Sequence, residues 1–283
     1  MTPLTDLYCV MGNPIAHSRS PWIHERFAQL TGQALHYERR QVALDGFAQA
    51  LHDFAAQGGR GCNITVPFKL QAAQLATTRS ERVQLAGAAN TLVFDDGGRI
   101  HADNTDGLGL VADITQGAGV PLAGRDVLLV GAGGAAAGVL GPLLQQQPRR
   151  VAVVNRTAGR AHALVASHAA LAMLQKTELL ALDIQAPEAD FDVIINATAS
   201  SLEGSPAPVP ASVLRPGSLA YDMMYGPAAQ GFLDWATAHG ATARDGLGML
   251  VEQAAEAFQL WRGVRPPAAQ VLQELRTAIA AGA

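Results

Sequence analysis

The hexapeptide Gly131-Ala132-Gly133-Gly134-Ala135-Ala136 follows the apolar run DVLLV and opens a run with helical character. It has the G-x-G-x-x-A form of a dinucleotide fingerprint. The first glycine permits a tight turn, the second leaves room for a pyrophosphate against the backbone, and the small third residue lets helix and strand pack closely. Free N–H groups and the positive dipole end at the helix start then face the phosphates. Glycine–alanine runs also occur in close-packed helices, so the weight of the motif rests on its strand-turn-helix setting. An NAD enzyme places Asp or Glu at the end of the next strand, against the ribose 2′-OH. Here that run ends in Asn155-Arg156-Thr157, with Arg160 close behind and no carboxylate in the stretch. Two guanidinium groups at that point suit a 2′-phosphate and therefore NADP, through charge-assisted contacts. The competing reading is a solvated basic loop.

A second set of polar residues lies in the first third of the chain. In Gly12-Asn13-Pro14-Ile15-Ala16-His17-Ser18-Arg19-Ser20-Pro21 two hydroxyls stand two residues apart before an expected helix. They could hold a carboxylate together with the helix-end N–H groups. Ser20 alone reads equally as an ordinary N-cap, with Pro21 in the first helical position. Asn63-Ile64-Thr65-Val66-Pro67-Phe68-Lys69 brings Asn, Thr and Lys to the C-terminal end of an apolar strand, where open α/β sheets bind ligands. Asn90-Thr91 and Asp103-Asn104-Thr105-Asp106-Gly107 bracket an expected hairpin. Lys69 and Asp106 form a candidate acid/base pair, since a desolvated ammonium yields its proton more readily and a carboxylate beside it orients it. An isolated surface Lys or Asp would carry no such meaning. His17 and His24 lie near these motifs and read as structural. No His/Cys cluster has the spacing of a metal site.

The elements that must position these groups alternate between strand and helix, which predicts an α/β chain with mostly parallel sheets. Strands are expected at 7–12, 61–66, 150–157, 191–198 and 218–225, beside the one that enters the glycine loop. Helices are expected from Ser20, with Trp22, Ile23, Phe27 and Leu30 on one face, and over 45–57. Residues 91–95 and 99–103 flank DDGG as an antiparallel hairpin. The Ser- and Pro-rich segment 199–217 reads as a surface loop. After GLGM (246–249) a helix runs to Gly263, and a last one to about residue 280. The 283 residues are 49% hydrophobic and 16% charged, enough for a real core, and the net charge of −4 argues against a nucleic-acid partner. Cys9 and Cys62 sit in apolar strand-like runs and read as buried, reduced thiols. No signal peptide and no long apolar span is evident, so a soluble cytoplasmic protein without membrane contact is expected.

The chain resembles shikimate dehydrogenases along essentially its whole length. The resemblance is carried, in order, by GNPIAHSRSP (12–21), NITVPFK (63–69), AGAANT (86–91), DNTDG (103–107), GAGGAA (131–136), NRT (155–157), YDMMY (221–225) and DGLGMLVEQ (245–253). It implies reversible reduction of 3-dehydroshikimate to shikimate with NADP, in aromatic amino-acid biosynthesis. It implies Lys69 as catalytic acid/base with Asp106 beside it. Ser18 and Ser20 would bind the substrate carboxylate, and Thr65, Asn90, Asp106, Tyr225 and Gln253 would contact the ring hydroxyls or carboxylate. Gly131, Ala132, Gly133, Gly134, Ala135, Asn155, Arg156, Thr157 and Arg160 would hold NADP. Met223 and Gly246 would line its nicotinamide end, and Glu81 matches a position near the cofactor.

The resemblance also implies a substrate domain built from residues 1–104 and 246–283, with a Rossmann NADP-binding domain, 105–245, inserted between them. The partner is expected to be the small-molecule substrate alone, in a monomer or homodimer. Two departures from the family pattern stand out: Ala136 replaces a common Ser, and the stretch after Tyr225 lacks a common Thr-Pro. Close alternatives are a quinate/shikimate dehydrogenase of broader substrate or cofactor range and a non-catalytic homologue that binds such metabolites.

Overall fold

The computed structural model describes residues 5–185, 187, 190–198 and 207–282. Its elements are β1 (Asp6–Gly12), α1 (Ser20–Thr31), β2 (Leu35–Gln41), α2 (Phe47–Ala56), β3 (Gly59–Ile64), α3 (Lys69–Leu75), β4 (Thr78–Arg79), α4 (Glu81–Ala86), β5 (Thr91–Phe94), β6 (Ile100–Asp103) and α5 (Asp106–Ala112). There follow β7 (Asp126–Val130), α6 (Gly134–Gln145), β8 (Arg150–Val154), α7 (Ala158–Leu174), β9 (Glu178–Leu182), β10 (Phe191–Asn196), β11 (Leu214–Asp222), α8 (Gln230–Ala238), β12 (Thr242–Arg244), α9 (Leu247–Arg262) and α10 (Ala268–Ala280). The chain divides into two compact units, residues 1–109 with 251–283, and residues 110–250. The divisions fall inside α5 and α9, whereas the change of motif suggests 104/105 and 245/246. Asp106 therefore belongs to the same unit as Lys69. No helix among the described residues is long and apolar enough to cross a membrane.

The first unit carries a mixed six-stranded sheet in the order β2-β1-β3-β5-β6-β4. β1 pairs in parallel with β2 and β3, while β5 is antiparallel to both β3 and β6. Alternation decides which face each side chain joins. Cys9, Met11, Cys62 and Ile64 point to a core shared with Phe47, Leu51 and Phe54 of α2 and Phe68 before α3. Tyr8 and Val10 point the other way, toward Ile15, Tyr37 and Trp261. Cys9 and Cys62 are directly opposite each other and both fully buried.

The second unit is an all-parallel sheet in the order β12-β11-β10-β7-β8-β9. In sequence rank this is the order of a doubly wound Rossmann sheet, with its switch point between β7 and β10. Buried on both faces, its strands are near-continuous apolar runs, and every residue of β7 is buried. Val127, Leu129, Val151, Val153, Val193 and Ile195 meet α6 and α7 on one face. Leu128, Val130, Ala152, Val154, Ile194 and Ala220 meet Phe232 and Ala236 of α8 on the other.

Several local expectations are corrected. Arg19, not Ser20, occupies the N-cap of α1, and no side chain caps it; Ser20 and Pro21 form the first turn. The strand expected at 61–66 begins at Gly59 and ends at Ile64, because the peptide after Thr65 turns toward Pro67. Of the loop expected at 199–217, residues 199–206 lie outside the described residues, and Leu214–Gly217 already belong to β11. β2, β9 and β12 are edge strands that the sequence pattern does not mark: the mixed LHYERRQ of β2 and the three-residue β12 carry little apolar signal, while the apolar ELLAL of β9 is made of good helix formers.

Candidate active site

In the first unit, the ends of β3, β5 and β6 deliver a connected polar cluster. Lys69 is the first residue of α3, and its Nζ lies 2.5 Å from Oδ2 of Asp106, the first residue of α5. The other carboxylate oxygen accepts from Asn90 Nδ2 at 2.8 Å. Asn90 is nearly completely buried, and its amide orientation is set from both ends. Its Oδ1 accepts from the Thr105 N–H at 2.8 Å and from Thr91 Oγ1 at 2.9 Å. Its Nδ2 also faces Thr105 Oγ1 at 2.9 Å and Gln253 Oε1 at 3.2 Å. Asn104 turns the chain beneath the pair: its side chain donates to the Ala88 carbonyl at 3.0 Å and accepts from the Asp106 N–H at 3.1 Å. Lys69 and Asp106 keep 24% and 10% of their side-chain surface, so the pair is sheltered yet reachable.

The hydroxyl pair lies on the loop between β1 and α1. Ser18 Oγ accepts from the Ser20 N–H at 3.3 Å, and Ser20 is buried while Ser18 is half-buried. The loop is pinned by Asn13, whose N–H donates to Val66 O at 3.0 Å and whose amide donates to Val42 O at 2.9 Å. Thr65 lies half-buried just past β3, its N–H on Met11 O at 3.0 Å. Behind these residues, Tyr37 donates to Asn63 Oδ1 at 2.7 Å, and the Asn63 amide donates to Asn90 O and Thr91 Oγ1 at 3.2 and 3.1 Å. Burial pushes the Tyr37 phenol well above its ordinary pKa, against a hydrogen bond from Ser20 that acts in the other direction. Sequence reasoning gives Asn63, Thr91 and Thr105 no individual role. The signal is present as three polar residues inside strand-end motifs, where burial obliges them to find partners.

In the second unit the glycine loop leaves β7. Gly131 has φ +111°, a conformation costly for any side chain, and an added Cβ would come 3.1 Å from the Ala197 carbonyl oxygen. Gly133 occupies the N-cap of α6 with no side-chain cap, and among the described residues nothing approaches within 4 Å of where a Cβ would stand on Gly133 or Gly134. The absence of a side chain at both positions lets a pyrophosphate approach the first-turn N–H groups of α6 closely. Asn155 braces the loop: its Oδ1 accepts from the Ala132 N–H at 3.2 Å and its Nδ2 donates to Thr157 O at 3.0 Å. Thr157 is the N-cap of α7 without a side-chain bond. Arg156 and Arg160 are exposed and make no side-chain ion pair among the described residues. These features fit a dinucleotide with a 2′-phosphate.

At the C-terminal ends of β10 and β11, Asn196 donates to Asp222 Oδ2 at 3.1 Å, and Asp222 Oδ1 accepts from the Met224 N–H at 2.8 Å. This buried pair shapes the turn that carries Met223 and Tyr225. Gly246 donates its N–H to Met224 O at 2.8 Å, and a side chain there would overlap the Met223 carbonyl. Met223 and Gly246 are thus brought together, and Tyr225 is half-buried on the same turn. Glu81 stands in the other unit, exposed at the first turn of α4, and Gln253 is there too, on α9. Among the described residues no group of three His, Cys, Asp or Glu could hold a metal ion.

Comparison with known proteins covers the same segments. Residues 10–92 match the shikimate dehydrogenase substrate binding domain, 113–203 match shikimate / quinate 5-dehydrogenase, and 246–276 match the shikimate 5′-dehydrogenase C-terminal domain. Shikimate dehydrogenase (NADP(+)) of Acidovorax sp. (strain JS42) is 89% identical over 283 residues, with 100% of each chain covered. The crystal structure of an Ael1 enzyme from Pseudomonas putida is 46% identical, with a TM-score of 0.88 over 96% of this chain and 98% of that one. Shikimate 5-dehydrogenase from Thermus thermophilus, solved in complex with NADP(H) and shikimate, is 30% identical, with a TM-score of 0.85 over 97% of this chain and 100% of that one. The three matched segments, and the relatives that span the chain from end to end, place this protein in the shikimate dehydrogenase family.

Proposed function

We propose that the protein catalyses the reversible NADP-linked reduction of 3-dehydroshikimate to shikimate in the cytoplasm, as a monomer or homodimer with no nucleic-acid or membrane partner. The observation that carries the reading is the Lys69–Asp106 pair, 2.5 Å apart and backed by buried Asn90, in a chain of this family. Lys69 Nζ gives a proton to the carbonyl oxygen as it becomes an alkoxide and takes one back in the reverse direction. Asp106 aims the ammonium and accepts from a ring hydroxyl. Ser18 and Ser20 take the ring carboxylate, with Thr65, Asn90, Tyr225 and Gln253 on the hydroxyls, so that binding at one end of the ring orients the reacting carbon at the other.

The dinucleotide, when bound, supplies or accepts the hydride. Gly131, Ala132, Gly133, Gly134 and Ala135 would receive its pyrophosphate. Asn155, Arg156, Thr157 and Arg160 would receive its ribose 2′-phosphate, and Met223 and Gly246 its nicotinamide end. Glu81 would lie near the cofactor.

The test is initial rates of shikimate and quinate oxidation, each with NADP and with NAD, followed by nicotinamide absorbance. Turnover concentrated on shikimate with NADP is the expected result. Strong quinate turnover or a preference for NAD would move the protein to a quinate/shikimate branch. Absence of turnover with every pair would overturn the enzymatic reading in favour of metabolite binding alone.

A further inference from the structure

Most arginines of the first unit spend their charge on a carboxylate: Arg26 on Glu274, Arg40 on Glu38, Arg60 on Asp96, Arg82 on Asp103 and Arg262 on Asp6. Arg39 does not. It lies on β2 opposite Val10 of β1. Its Nε and Nη2 both donate to one neutral acceptor, the Ser18 carbonyl oxygen, at 2.9 and 2.7 Å. Among the described residues no carboxylate pairs with it. The guanidinium therefore remains a full positive charge held against the backbone of the residue that bears the first hydroxyl of the Ser18/Ser20 pair.

We infer that Arg39 is a positioning residue that makes this loop select an anionic ring substituent. The inference rests on the reading that Ser18 and Ser20 receive the substrate carboxylate. Two effects combine. The forked donation fixes the Ser18 carbonyl from the sheet, complementing the Ser18 N–H bond to Ile15 O at 3.0 Å and the Asn13 bonds at the start of the loop. A planar fork with parallel donors does this in a way that lysine cannot reproduce. The unneutralised charge also biases the site toward anions, which acts on encounter and on salt dependence. A guanidinium aimed at a carbonyl costs little to hold, since it stays exposed and hydrated. A neutral ring of the same shape would gain from the first effect only.

The experiment compares wild type with Arg39→Met, which keeps the aliphatic stem, Arg39→Lys, which keeps the charge, and Ser18→Ala. Steady-state kcat and KM are measured for shikimate and for its neutral methyl ester, at low and high ionic strength, with KM for NADP as control. Calorimetric titration of shikimate gives the same comparison without turnover. Arg39→Met is expected to raise shikimate KM about tenfold, with kcat and the NADP KM changed less than about twofold. It should also flatten the salt dependence of kcat/KM and cut the preference for acid over ester. Arg39→Lys should restore the salt dependence but only part of the KM. Unchanged shikimate KM in Arg39→Met, beside a raised KM in Ser18→Ala, would overturn the role of Arg39 and leave the carboxylate reading standing. Equal losses for acid and ester in Arg39→Met would also overturn it, as a purely structural effect. No change in either variant would remove the carboxylate reading and the inference with it.

Discussion

Asn90 Nδ2 lies 2.8 Å from Asp106 Oδ1, on the carboxylate oxygen that Lys69 leaves unused. Each oxygen of Asp106 thus has its own donor. An asparagine at 106 can satisfy only one of them, because its amide nitrogen must then face either the Lys69 ammonium or the Asn90 amide. Asp106→Asn should therefore lower kcat by about 10²- to 10³-fold, within the range of general acid–base contributions. Lys69→Ala should lose at least as much while shikimate affinity, read by titration, is largely kept. The double variant should lose little more than the worse single one, since residues that act as a unit are not additive. Simple multiplication of the two losses would show that the residues act independently.

The proposed preference for NADP is assigned to Arg156 and Arg160, exposed after β8 and unpaired among the described residues. Charge-assisted bonds to a phosphate are worth about 1.5–3 kcal/mol each. Replacing both arginines by alanine should raise the NADP KM by about 10²-fold or more and leave the NAD KM nearly unchanged. Equal increases for both dinucleotides would contradict assignment to the 2′-phosphate.

Where the sequence can be read, the controlling physics is local. The glycine loop needs a positive φ at Gly131 and open space at Gly133, and both demands are written in adjacent residues. The Lys69–Asp106 contact spans 37 positions, yet each partner sits in a short polar motif at a strand end, which is where a site has to form. Edge strand β2 is hidden because its alternation, LHYERRQ, places few apolar residues on its inner face. Sequence favours Ser20 over Arg19 as the N-cap because Ser has the better capping chemistry, whereas the Ser20 side chain is buried in the first turn and hydrogen-bonds Tyr37. Arg39 gives no signal at all: its partner is a backbone carbonyl 21 residues away, and carbonyls have no sequence identity.

The same limit hides a buried ion cluster in the second unit. Asp113, 1% exposed at its side chain, begins a π-helical turn after α5 and accepts from Arg244 Nε at 2.9 Å and Nη2 at 2.5 Å, and from the Tyr221 hydroxyl at 2.8 Å. Its carboxylate fills the space where side chains on Gly117 and Gly248 would otherwise stand. The Asp113 hydrogen bonds hold the Arg244 pKa above its ordinary value, and burial pushes the Tyr221 phenol well up. Removing one member of such a cluster strands the other in low dielectric, at a cost of about 3–5 kcal/mol. Asp113→Ala should accordingly lower the denaturation midpoint of this unit far more than a substitution of an exposed pair such as Arg99–Asp95. Similar midpoints for the two variants would show that water reaches the cluster.

His24 sets a testable acid limit on stability. It is fully buried in the first unit, stacked on Tyr37 with ring centroids 4.3 Å apart, and among the described residues neither ring nitrogen has a partner at good hydrogen-bond geometry, the Asn63 side chain beside it giving only a minor opposing effect on its pKa. Burial lowers its pKa from 6.5 to about 3. The folded protein therefore keeps a neutral ring while the unfolded chain takes up a proton below its ordinary pKa. This contribution to stability is accordingly intact above about pH 6.5 and is lost as the pH falls from there toward 3. The slope for one such proton approaches about 1.4 kcal/mol per pH unit once the unfolded histidine is fully charged. His24→Phe removes the titrating group and both unpaired nitrogens while keeping an aromatic ring beside Tyr37. Between about pH 6 and pH 4 its unfolding free energy should fall less steeply than that of wild type, by about one proton's worth of slope. Parallel curves for the two proteins would mean that the His24 ring takes up its proton in the folded state, and that the aromatic pocket around it admits a charge.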